Sequence, residues 1–255
     1  MNQEMSKVNS YKNMARIVGV LFIIGTAAGV LSVGLIGTVE GTPDLGKFAA
    51  NENMVLFGVL SIFIMAAACA GTAIWMYPVL KQYSESLALG AVCFRLIEAA
   101  LMVIGAIIML VLLSLSLEFV KAGAPDPSYF ETLGMLVRAG YDWLFNVPML
   151  LAWCTAALMY YYIFYRTKLI PRWITAWGII GIILSMVASM SILFGILDTS
   201  MTVHTLMNFP IALQEMVMAV WLIAKGFDPA AIDSLSARAK SDKSAMAVSA
   251  TKQKV

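Results

Sequence analysis

Charge is scarce in this chain. Asp, Glu, Lys and Arg make up 13% of its 255 residues, about half the share of a soluble globular domain. Histidine occurs once, as His204, which excludes a bis-histidine haem or a three-histidine metal site within one chain. A lone histidine in a short loop reads as a solvated residue. The three cysteines, Cys69, Cys93 and Cys154, fall inside apolar stretches without CxxC spacing. They read as small packing residues, not as a disulfide framework or a metal site. No G-x-S-x-G, H-E-x-x-H or phosphate-cradling glycine loop is present. No lysine sits within an apolar stretch, so a Schiff base has nowhere to form. The net charge is +2 and the basic residues form no patch interleaved with aromatics, so nucleic acid is not an expected partner. From these absences we expect neither an enzyme nor a cofactor.

What the chain has is hydrophobicity, at 61% of residues. Six apolar stretches stand out: Ile17–Ile36, Met54–Val79, Leu87–Leu117, Trp143–Phe164, Trp173–Leu197 and Leu206–Ala224. Each reaches across a hydrocarbon layer of ~30 Å, and in lipid such stretches must be helices, because the backbone has to satisfy its own hydrogen bonds. The expected fold is therefore all-α, a six-transmembrane-helix bundle forming one membrane domain over residues 17–225. It is preceded by a segment at 1–16 and followed by a mostly disordered tail at 226–255. The third stretch, at about 46 Å, is too long for a perpendicular crossing and must tilt or project. The first is longer than the apolar core of a signal peptide and carries Gly25-x-x-x-Gly29, so it reads as a retained span.

Lysines and arginines set the orientation. One set of connecting segments holds Lys7, Lys12, Arg16, Lys81, Arg166, Lys168, Arg172, Lys225, Arg238, Lys240, Lys243, Lys252 and Lys254; the other holds Lys47, Lys121 and Arg138. The richer set is expected in the cytoplasm together with both termini. Trp75, Tyr77, Tyr160, Tyr161, Tyr162, Tyr165, Trp173 and Trp177 gather at the same ends of the spans, where an aromatic belt belongs. In the long loop, Ser128-x-x-Glu131 predicts a capped short helix to about Arg138, with Arg138 and Asp142 spaced to pair. Asp228-Pro229 can open another short helix.

Three ionisable residues lie where charge is expensive: Arg95 and Glu98 in the third span and Glu215 in the sixth. Counted inward at 1.5 Å per residue, they lie at ~12, ~16 and ~15 Å, one common level. Ala91, Arg95, Glu98, Met102 and Gly105 share a helix face, as do Asn208, Ala212, Glu215 and Ala219, with Gln214 beside them. Small and polar residues interleaved in this way mark a face turned toward other helices. Pro210, and Pro148 in the fourth span, are expected to open the helix ladder nearby. Two carboxylates face one guanidinium, so one acid must take up a proton, find another donor or bind a cation. The candidate ligand- or proton-binding residues are Arg95, Glu98, Gln214, Glu215 and Asn208. The other reading makes them a staple holding spans three and six together.

The segments ARIVGVLFIIGTAAGVLS, ANENMVL, YPVLKQYSESLALG, FRLIEA, VKAGAPDPSYFETLG, KLIPRW and PIALQEMVMAVWLIAKGFDP resemble a bacterial membrane family, domain of unknown function 4386, over about Tyr11–Pro229. That resemblance implies a multi-pass protein of the bacterial cytoplasmic membrane and supplies no activity. Two readings of function stand ahead of a membrane-embedded enzyme. One is a small-molecule or ion binder or transporter built on the Arg-Glu-Glu cluster. The other is a non-catalytic membrane scaffold or stress-related subunit. The expected partners are the lipid bilayer and a small-molecule or ion ligand.

Overall fold

A computed structural model describes residues 2–36, 44–123, 127–197 and 201–238. Apart from turns it is helical, and six of its helices are long and apolar enough to cross a membrane. In chain order the helices are α1 (Asn2–Ile36), α2 (Leu45–Ala50), α3 (Glu52–Leu80), α4 (Glu85–Lys121), α5 (Pro127–Leu144), α6 (Leu150–Thr167), α7 (Arg172–Leu193) and α8 (Met201–Ala224). A further helix, α9, covers 229–238.

The six long helices form a closed ring. Each packs on its neighbour in sequence, in the order α1, α3, α4, α6, α7, α8, and α8 returns to α1. Short α2 and the longer α5 both lean on α4 at one end of the ring. Turns and caps fix the other end. Ser84 accepts from the Leu87 N–H to start α4, and Lys168 adopts a left-handed conformation (φ 61°) to stop α6. Asp228 N–H donates to the Leu169 carbonyl at 3.0 Å, tying the α6–α7 turn to the turn after α8. We call this the basic end, because Lys12, Lys81, Lys168, Arg172 and Lys225 stand on it.

Two apolar clusters hold the ring. One, toward the basic end, joins Val18, Phe22, Met76, Tyr160, Phe164, Ile170, Met218 and Leu222. The other, toward the opposite end, joins Ile36, Phe48, Val55, Ile62, Met102, Met109 and Leu112. α1 and α8 meet so closely that a Cβ added at Gly19 would stand 2.6 Å from the Ala219 carbonyl oxygen; only glycine fits that seam.

The structure extends several expected boundaries. α1 begins 15 residues before Ile17 and α4 runs on to Lys121, whereas α7 stops at Leu193, where Phe194 and Gly195 turn the chain. The short helix expected to end near Arg138 continues as α5 and enters α6 through a π turn at Phe145–Met149. Pro148 lies in that turn and has no N–H to donate, so the ladder widens by one residue instead of breaking. Ser189 Oγ of α7 donates to the Asn146 carbonyl in this turn at 2.7 Å. Arg138 and Asp142 pair at 3.1 Å, as their spacing predicts. Within the tail expected at 226–255, α9 is the short helix that Asp228-Pro229 was expected to open, and Phe227, Ala231, Ile232 and Leu235 pack into the core. Residues 239–255 of that tail, and the side chains of Ser128 and His204, lie outside the described residues.

Candidate functional site

The site begins with the buried face of α4. Ala91, Arg95, Glu98, Met102 and Gly105 all turn inward, so the stripe expected from their 3–4 residue spacing is real. Arg95 and Glu98 are each 2% exposed. Arg95 Nη1 donates to both carboxylate oxygens, at 3.1 and 2.9 Å. The guanidinium also lies over two rings, 5.9 Å from the centre of Phe22 on α1 and 5.8 Å from that of Tyr160 on α6. These two cation–π contacts offset part of the cost of taking the guanidinium out of water. Among the described residues, Arg95 Nε has no hydrogen-bond partner.

This pair lines a cavity of about 260 Å³ inside the ring. Its apolar wall includes Leu21, Met65, Met102, Leu150 and Ile211; its polar groups include Arg95, Glu98, Asn208 and Glu215. The Trp153 indole N–H of α6 is turned to the Glu215 carboxylate as a hydrogen-bond donor. Glu215 forms no salt bridge among the described residues, and its buried Oε1 has no hydrogen-bond partner. Ala212, one turn from Glu215 toward the start of α8, is exposed although it lines the cavity. The cavity therefore opens beside Ala212, in the half of α8 away from the basic end.

Four of the five candidate residues thus surround one space, and Gln214 does not. Its side chain points the other way and is fully buried. Tyr161 OH donates to its Oε1 at 2.6 Å, and its Nε2 donates to the Ile174 carbonyl at 3.0 Å. Gln214 stitches α8 to α6 and α7. Gln214→Leu should leave the Tyr161 hydroxyl buried without an acceptor and lower stability by about 1–3 kcal/mol. The midpoint of a denaturant titration in detergent micelles measures this; an unchanged midpoint would show that the stitch adds nothing.

Two further expectations change. A staple joining spans three and six through Arg95 is not what the structure contains: the ion pair closes within α4, at i,i+3, and Glu215 faces it across the cavity. Tyr160 and Tyr161 do not belong to the aromatic belt, since both are fully buried, whereas Tyr162 and Tyr165 are exposed. Successive helical residues are turned by ~100°, so four tyrosines within six positions cannot all face lipid. That geometry was the available signal for Tyr160, which with Phe22 and Trp153 completes the site and escaped the reading of the sequence.

Among known proteins, the family described as Domain of unknown function (DUF4386) matches residues 17–226. No curated protein and no solved structure matches the chain.

Proposed function

The chain belongs to the family Domain of unknown function (DUF4386), and since that membership brings no activity with it, we propose a function from the cavity itself. The protein is a membrane-embedded binding site, and by extension a carrier, for a small cation with an apolar body. Glu215 holds the ligand's charge, or a proton in its place. The observation that carries this reading is the buried Glu215 oxygen with no partner on the wall of an apolar cavity. Arg95 is already committed to Glu98, so the one acid left over calls for a cation from outside the chain. A volume of about 260 Å³ suits a molecule of roughly ten non-hydrogen atoms, given that a 150 Å³ cavity takes benzene. Entry from the bilayer through the mouth beside Ala212 fits a ligand that partitions into lipid. We place the basic end and both termini in the cytoplasm, on the bias of lysine and arginine across the connecting segments, and the protein in the cytoplasmic membrane.

Glu215→Gln separates this function from a structural staple. Purified protein in detergent is heated with and without a series of small alkylammonium ions, from methyl- to hexylammonium. Wild-type protein should gain thermal stability with the longer members, by about 2.7 kcal/mol at a hundredfold excess over Kd. The Glu215→Gln protein should lose that gain while matching wild type without ligand. A variant that melts much earlier than wild type in the absence of ligand would instead make Glu215 a structural residue. The scaffold reading draws on the contacts of Arg95 with Phe22 and Tyr160, which join α1, α4 and α6, and this describes the pair well without accounting for an acid that has no counter-ion among the described residues.

A further inference from the structure

The basic end carries a second concave region, away from the central cavity. A hollow of about 580 Å³ opens between the α6–α7 turn and the turn after α8, and Lys168, Arg172, Lys225 and Asp228 are among its walls. It adjoins an apolar groove of about 420 Å³ lined by Trp173, Val217, Val220 and Trp221. Trp221 and Lys225 line both, so the two are continuous. Val220 and Trp173 are 59% and 57% exposed, which turns the groove outward from the ring.

The charges do not cancel within the hollow. Asp228 Oδ1 accepts from the Ala231 N–H at 2.9 Å and serves as the cap of α9. Lys168, Arg172 and Lys225 form no ion pair among the described residues, and Arg172 instead lies over the Tyr165 ring at 5.3 Å. Three cations against one carboxylate leave two positive charges unanswered. The hydrogen bond from Asp228 N–H to the Leu169 carbonyl fixes the two turns against each other, and with them the spacing of the basic groups. From Met216 to Ala224 the groove side of α8 rises ~12 Å, and Lys225 follows directly after its end.

We propose that this surface binds one phospholipid with an anionic headgroup. An acyl chain lies in the Trp173–Val220–Trp221 groove, and Lys168, Arg172 and Lys225 hold the phosphate. The occupant follows from the chemistry of the two halves. A groove facing outward on a membrane span is filled by acyl chains. Where it ends, at the level of the tryptophans, a cluster of cations with surplus charge selects a phosphate that bears a net negative charge. A second copy of the chain would bring its own cations to the same place and be repelled.

The test is native mass spectrometry of the full chain in detergent, with added phosphatidylglycerol or phosphatidylcholine of the same acyl composition. Phosphatidylglycerol should bind with a stoichiometry of one, and R172Q/K225Q should weaken it about thirtyfold, from two phosphate-directed charges. The control K81Q/R166Q removes the same net charge at the same end and should bind as wild type; Lys168→Gln should be weakened alone. Inorganic phosphate, which lacks the acyl chain, should not displace the lipid at millimolar concentration. Equal retention of phosphatidylcholine, equal losses in both double variants, no loss in R172Q/K225Q, or displacement by phosphate would each overturn the proposal. The substituted side chains are exposed and lie away from Glu215, so this result is independent of the function proposed for the central cavity.

Discussion

Replacing Glu98 by glutamine should destabilise the protein by about 3–5 kcal/mol, the largest effect we expect from a single substitution. Arg95 is 2% exposed and spends Nη1 on both Glu98 oxygens. An amide at that position keeps the shape and one acceptor but removes the compensating charge, and a buried guanidinium without its counter-charge is the costly outcome. Glu215, across the cavity, is the one other acid available, so the variant should also lose any cation bound there. The double variant R95M/E98L should recover most of the stability, because removing both charges together leaves nothing uncompensated. Denaturant midpoints in bicelles for wild type, E98Q and R95M/E98L decide the matter. A Glu98→Gln protein within 1 kcal/mol of wild type would mean that solvent or Glu215 already neutralises Arg95.

Gly19→Val comes second, at about 1–3 kcal/mol and with a change of shape. The new Cβ meets the Ala219 carbonyl at 2.6 Å and the Ile223 N–H nitrogen at 3.3 Å. Both are backbone atoms and cannot swing aside, so α1 and α8 must separate. Hydrogen exchange should accelerate along α8 toward Lys225, with little change in α3 or α4. Exchange that rises uniformly along all six helices would show instead that the ring loosens as a whole. Gly19→Ala, which adds the same Cβ, should show the same pattern.

The sequence displayed its membrane spans openly, because apolar length is a property of each segment alone. The inward face of α4 was legible for a related reason: Ala91, Arg95, Glu98, Met102 and Gly105 repeat at the helical period, and no charge is tolerated toward lipid. What the sequence could not express was pairing. Arg95 had two acids at its own level, and nothing in spacing alone decides between a partner three residues along its helix and one on another helix. Gln214 and Glu215 are adjacent, so their side chains diverge by ~100°, and which of the two meets the cavity depends on how α8 rolls against α7. The packing of α9 was less hidden. Phe227, Ala231, Ile232 and Leu235 recur at intervals of four, one and three, an amphipathic pattern overshadowed by the Ser/Ala/Lys composition that follows it.

The closed ring has a consequence for how the protein is made. Every seam but one joins helices that follow each other along the chain, so five helices can assemble as they leave the ribosome. The exception, between α1 and α8, waits for the final span. Until α8 arrives, the half-built barrel lacks the wall bearing Asn208, Ile211, Ala212 and Glu215, and the Arg95–Glu98 pair looks out through that gap into hydrocarbon. The nascent chain therefore passes through a stage in which its costliest charges have shelter on three flanks alone. Its yield should depend on whatever insertion machinery covers that open side.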